Sequence, residues 1–140
     1  MNKVIGLDLG KKTCGIAYSD ALGFVHGLET YRFKAFNYED AAEHVHNIAK
    51  ERGIVEFALG LPLHLSGQMS EMAQNVMTFK SLLESKNKDY VIELVDERYS
   101  SVIANNTIST LNMNHQQRKE VVDTYAACEI LDTYIRKKGK

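Results

Sequence analysis

The chain has 140 residues and a net charge of -1, from 17 Lys+Arg against 18 Asp+Glu. That length suits one domain, 1–140, with a core large enough to fold without staples. Hydrophobic residues make up 44% and charged residues 25%, which excludes a disordered tail, a collagen-like repeat and a membrane protein.

The balanced charge has a consequence for partners. A polyanion would have to be held by local basic patches or by metal ions, because the domain as a whole is not basic. The only cysteines, Cys14 and Cys128, are far apart and form no CxxC, so free thiols in a reducing compartment are expected. The opening MNKVIGLDLG is a short apolar run broken by Gly6 and Asp8, unlike a signal peptide. No stretch reaches the length of a membrane span. A cytoplasmic protein is expected.

In chain order, Met1–Leu9 reads as a buried strand, and Thr13–Ser19 as a second one joined to it by a tight turn. Phe24–Phe33 extends the meander. Asn37 then caps a helix with Ala41, Ala42, Val45, Ile48 and Ala49 on one face, closed by Gly53. Ile54–Leu59 reads as a strand ended by Gly60-Leu61-Pro62. A helix over residues 69–86 carries Met72, Val76, Phe79, Leu82 and Leu83 in a stripe. Tyr90–Val95 is the next strand. Ser100 or Ser101 caps a further helix, Asn112–His115 breaks it, and a long helix runs from Gln117 to Lys137. The order βββ-α-β-α-β-α-α predicts a mixed sheet, a meander followed by parallel crossovers.

Three acids stand in unusual places. Asp8 interrupts an apolar strand, where a lone buried carboxylate is costly. It can be an ion-pair member, a turn residue at the strand end or a metal ligand. Asp96-Glu97-Arg98 follows an apolar strand directly, where ligand sites of open α/β sheets lie; a solvated loop with a local ion pair is the alternative. Asp123 shares a helical stripe with Ala126, Ala127, Ile130, Leu131 and Tyr134, so it sits on a packing face near a helix N-terminus. The helix dipole favours an anion there by about 0.3–1 kcal/mol, too little to offset burial of an unpartnered charge. Acids from a strand, a strand end and a packing helix can converge on hard divalent ions, which take oxygen ligands. Two such ions can hold the attacking water and the leaving oxygen of a phosphodiester. His44 and His46 are two residues apart and do not share a helix face, which argues against zinc.

At these residues the chain resembles the YqgF family of Holliday junction resolvase or pre-16S rRNA nuclease proteins. The resemblance is carried by GLDLGKKTCGIAYSD (6–20), LGLPLHLSGQ (59–68), VDERYSS (95–101) and RKEVVDTYAACEIL (118–131). It implies a ribonuclease H-like α/β fold, a five-stranded mixed sheet with helices on both faces. It also implies a divalent-metal nuclease, using Mg²⁺ or Mn²⁺ in a two-ion arrangement, that acts on structured nucleic acid. Asp8, Glu97 and Asp123 match the family's acids as catalytic and metal-binding residues, with Asp96 in reserve. Lys11, Lys12, Arg98, Arg118 and Lys119 would surround them and hold phosphates.

Three functions compete at this stage. A nuclease processing the 5′ end of precursor 16S rRNA or cleaving branched DNA is favoured. Its partners would be nucleic acid and ribosomal particles, with no membrane, and the chain would act as a monomer or a homodimer. An ATP-binding or sugar-kinase-like module would share the opening hairpin, but such proteins close two domains on the nucleotide. A non-catalytic ribosome-assembly factor would have no use for a charge on a packing face.

Overall fold

The computed structural model describes residues 2–64, 66–97 and 115–138, with side chains in the last helix from Thr124 onward. The elements are β1 (Val4–Leu9), β2 (Thr13–Ser19), β3 (Val25–Arg32), α1 (Tyr38–Arg52), β4 (Glu56–Leu61), α2 (Glu71–Glu84), β5 (Val91–Asp96) and α3 (His115–Lys138). They build one five-stranded sheet in the order β3-β2-β1-β4-β5. The first three strands pair antiparallel, while β1 with β4 and β4 with β5 pair parallel.

Strand alternation sorts the side chains onto two faces. On one face Ile5, Leu7, Leu9, Ile16, Phe57 and Leu59 are buried with Val45 of α1 and with Val76, Phe79 and Leu83 of α2. On the other, Val4, Ala17, Ala58 and Val95 meet Ala127, Ile130, Leu131 and Tyr134 of α3. This second face is built of small residues, so α3 lies close to the sheet. A Cβ on Gly6 would stand 2.7 Å from Leu131 Cβ and 2.8 Å from the Ala127 carbonyl oxygen, and one on Gly27 2.9 Å from Thr124 Cγ2. The stripe expected on the last helix is therefore the packed one, and Ala127 permits the approach.

Side-chain bonds set the direction of α3. Near its C-terminal end the Tyr134 hydroxyl donates to Glu56 Oε2 at 2.5 Å, at the start of β4. Its N-terminal half thus runs toward the carboxyl ends of β1, β4 and β5.

The helix caps explain where the element ends depart from expectation. Asn37 Oδ1 accepts from Asp40 N, and Gly53 closes α1 at φ 68°. The Ile54 amide then donates back to the Ala49 carbonyl at 2.9 Å, so Ile54 belongs to the helix stop and β4 begins at Glu56. Ser70 caps α2 by accepting from Ala73 N at 2.9 Å, which delays that helix to Glu71. Phe24 leaves β3 because its amide donates to Asp20 Oδ1 in the preceding turn. His115, expected in a break, begins α3. The helix expected after Ser100 or Ser101 lies outside the described residues. Among the described residues no helix is long and apolar enough to cross a membrane.

Candidate active site

β1 alternation turns Val4, Gly6 and Asp8 toward α3 and leaves Ile5, Leu7 and Leu9 on the other face. Asp8 is flanked by glycines. Gly15 of β2 stands directly opposite it, and the register that pairs Leu7 with Leu59 brings Gly60 of β4 alongside. A carboxylate in the middle of a sheet thus has no Cβ on either cross-strand neighbour.

Glu97 reaches the same place from β5. Its amide donates to the Leu61 carbonyl at 3.2 Å, which prolongs the β4–β5 ladder by one residue. Its side chain folds back over Gly60 and forms a hydrogen bond with the Asp8 carboxyl. Two carboxyl groups can make that bond only by sharing a proton. Burial pushes the Glu97 carboxyl above the ordinary glutamate range. The Asp8 bond offsets part of the rise, and the charge of Asp96 adds to it. Asp96, the reserve candidate, is exposed and pairs with Leu61 in the ladder, one position out of phase with the α3 face. Glu97 is therefore the acid that meets Asp8.

The third candidate, Asp123, lies in α3, but its side chain is outside the described residues. The backbone fixes its level in the fold. Leu131 and Ala127, one helical turn apart, both lie over Gly6. One more turn advances the helix by about 5.4 Å, and two strand residues advance β1 by about 6.6 Å. Position 123 thus comes level with Asp8.

Lys11 and Lys12 are exposed in the β1–β2 turn at the same end of the sheet. Arg98 and the side chains of Arg118 and Lys119 lie outside the described residues; positions 118 and 119 are in the first turns of α3. Among the described residues no set of three or more His, Cys, Asp or Glu side chains is gathered for a metal, and Asp8 with Glu97 forms a pair. The histidines with described bonds are engaged elsewhere: His26 with Asp20, His44 with Glu29 and His46 with the Tyr90 hydroxyl.

The residues that sequence reading missed here are Gly15 and Gly60. A glycine in a strand is a weak signal by itself, and its meaning came only with the register that sets both beside Asp8.

The donor set fits a hard divalent cation. It consists of carboxylate oxygens in a half-buried setting, and a cation can take the place of the proton the two acids share. A central-strand acid and a second acid at the end of a parallel strand, on a sheet of this order with α3 packed across it, define a ribonuclease H-like fold. The chain belongs to the RuvX family, described as Holliday junction resolvase, whose sequence profile matches residues 2–137.

Its relatives and structural neighbours agree with that assignment. A protein of Clostridium novyi named "Putative pre-16S rRNA nuclease" is 37% identical over 134 residues, covering 95% of this chain and 97% of its own. A protein of the same name from Natranaerobius thermophilus is 35% identical over 133 residues, covering 95% and 93%. RuvC of Thermus thermophilus in complex with a Holliday junction substrate shares the fold at a TM-score of 0.56 and 10% identity, over 99% of this chain and 97% of that one. A protein of Cytophaga hutchinsonii described as "a putative sugar kinase" matches at a TM-score of 0.51 and 11% identity over 74% of this chain, but over only 39% of its own. The fold is thus shared with part of that larger chain.

Proposed function

We propose that this chain is a divalent-metal-dependent nuclease that hydrolyses phosphodiester bonds in structured nucleic acid, processing the 5′ end of precursor 16S rRNA. The observation that carries the reading is the half-buried Asp8–Glu97 pair, two acids held together at the carboxyl ends of parallel strands. A purely structural role fits poorly, since holding two acids together away from water disfavours ionisation of both.

Asp8, Glu97 and Asp123 would hold Mg²⁺ or Mn²⁺, in a two-ion arrangement. When bound, such ions polarise the scissile phosphate and lower the pKa of a water nucleophile. The protein supplies placement. Gly15 and Gly60 clear the space around Asp8, the ladder fixes Glu97, and α3 sets position 123 at their level. With a cation bound, Asp8 and Glu97 would both be held as carboxylates. Lys11, Lys12, Arg98, Arg118 and Lys119 would fix the register of the strand through its phosphates. The partners would be precursor rRNA and ribosomal particles in the cytoplasm, with the chain acting as a monomer or a homodimer.

A second reading within the same chemistry is resolution of branched DNA, favoured by the likeness to RuvC. One assay tests both. Purified protein is given precursor 16S rRNA and a four-way DNA junction, with Mg²⁺, Mn²⁺ or chelator, beside Asp8→Asn and Glu97→Gln. Metal-dependent cleavage of the rRNA that both variants lose is expected. Cleavage of the junction alone moves the substrate to DNA. No cleavage of either leaves an assembly factor, and an Mg²⁺-dependent shift with ATP would favour the nucleotide-binding module.

A further inference from the structure

Residue 36 carries a feature that the catalytic pair does not explain. Phe36 has φ 64°, and among the described residues no other non-glycine residue is in the left-handed region. That conformation is uncommon for a bulky side chain; glycine or asparagine adopts it with less strain. The ring is also 55% exposed. Both features are unfavourable in the free protein. Such strain persists where surrounding contacts enforce it, and it gathers at functional sites.

The contacts that enforce it lead to the active site. The Phe36 amide donates to the Lys11 carbonyl at 2.7 Å, and the Phe33 amide to the Lys12 carbonyl at 3.0 Å. The β3–α1 loop is thereby tied to the β1–β2 turn. Lys11 is three residues beyond Asp8, at most about 11 Å of chain. On one side the ring meets Tyr38 edge-on, centroids 6.3 Å apart, and Tyr38 is itself buried. The aromatic thus has a fixed base and an open face. Around it Lys11, Lys12 and Lys34 are exposed. An open aromatic face among lysines is the arrangement by which single strands are held: bases stack while ammonium groups take the phosphates.

We propose that Phe36 is a stacking platform for an unpaired nucleobase of the substrate strand, with Lys11, Lys12 and Lys34 on the flanking phosphates. The inference rests on the nuclease reading for its substrate and names the strand conformation that the site takes. A base stacked on Phe36 would hold the strand unpaired beside the carboxylates.

The chain has no tryptophan, so Phe36→Trp introduces a single indole reporter. In chelator, which stops cleavage, a short single-stranded RNA and a DNA of the same sequence should quench its emission. An abasic DNA strand of equal charge should not. Phe36→Gly should weaken binding of the same RNA by about 5- to 100-fold. It should raise KM more than it lowers kcat, and melt at the same or a higher temperature, because glycine relieves the strain. Equal quenching by the abasic strand overturns the proposal. So does wild-type affinity in Phe36→Gly, and so does a lowered melting temperature with unchanged affinity, which would make Phe36 purely structural. The binding arm needs no catalysis. An Asp8→Asn protein that still cleaves would refute the nuclease reading without touching it, and failed quenching in an enzyme that cleaves normally would refute only the role of Phe36.

Discussion

The carboxyl group of Glu97 occupies the space that a side chain on Gly60 would fill: a Cβ there would stand 2.5 Å from Glu97 Cδ and 2.8 Å from Oε1. A residue on β4 thus decides whether an acid on the neighbouring strand can reach Asp8 on β1.

Gly60→Ala should therefore act on catalysis first. The added methyl also meets the Ile130 Cδ1 atom at 2.6 Å, and both obstacles are ends of side chains that can turn away. The fold should survive with a loss of about 1–3 kcal/mol from overpacking. Cleavage should fall sharply, because the turn that relieves Glu97 takes it from Asp8. Gly6→Ala serves as the contrast. Its methyl meets the Ala127 carbonyl oxygen at 2.8 Å, so α3 itself must shift. Its melting temperature should fall further. Melting curves and cleavage rates on the two proteins check the pair; a fully active Gly60→Ala would show that Glu97 is dispensable.

Much of this was legible in the sequence, for reasons that differ by element. The stripe Ala126, Ala127, Ile130, Leu131 and Tyr134 follows helix periodicity, and all five residues are buried. Asn37 and Gly53 cap α1 as their chemistry dictates. The start of β4 was not legible, because the Ile54 amide is drawn into the helix stop by a bond that hydrophobicity does not record. Nor was the choice between Asp96 and Glu97. Adjacent acids on a strand point to opposite faces, and only the pairing with β4 fixes which one faces α3. The strain at Phe36 left no trace at all, since left-handed backbone is signalled by glycine or asparagine and position 36 holds neither.

The contact between α3 and β4 should be sensitive to alkali. Burial, reinforced by the hydrogen bond to Glu56, pushes the Tyr134 phenol up to about 12. The ordinary tyrosine value is about 10. Between those values the unfolded chain has lost the proton and the folded chain keeps it, so the unfolded state binds fewer protons and stability falls as pH rises. The slope is at most about 1.4 kcal/mol per pH unit, and the contribution is complete below pH of about 10. Tyr134→Phe should be less stable than wild type at neutral pH, with the difference closing as pH climbs toward 12. Denaturant melts of both proteins across that range measure it. A difference independent of pH would mean the phenol bond contributes nothing.

Tyr38 offers a prediction of the opposite sign. Its hydroxyl is buried and has no hydrogen-bond partner among the described residues. An unsatisfied buried hydroxyl destabilises by about 1–3 kcal/mol, while the ring packs edge-on against Phe33 at 5.9 Å. Tyr38→Phe keeps the ring and removes the orphaned group. The variant should be as stable as wild type or up to about 1 kcal/mol more stable, with cleavage unchanged. A clear fall in melting temperature would show that the hydroxyl is bonded.

The sharpest test of the catalytic assignment is Asp123→Asn, because α3 gives that residue two possible reasons to exist. If it is a ligand, the amide keeps its size but removes a charge from the metal centre. Cleavage should drop by about 100-fold or more, the scale on which a group that stabilises transition-state charge acts. The metal-free fold should hold or gain stability, since repulsion with Asp8 and Glu97 is relieved. Added Mg²⁺ should then raise the melting temperature of wild type more than that of the variant, because a ligand stabilises only the state that binds it. α3 begins at His115, so Asp123 lies in its third turn and cannot cap it. If instead Asp123 is only a structural ion-pair partner, the order reverses: activity would survive, and stability would fall by about 3–5 kcal/mol, as for a broken buried pair. Cleavage and melting with and without Mg²⁺, read on one preparation, separate the two. An active, destabilised variant would remove α3 from the catalytic centre and leave that role to Asp8 and Glu97.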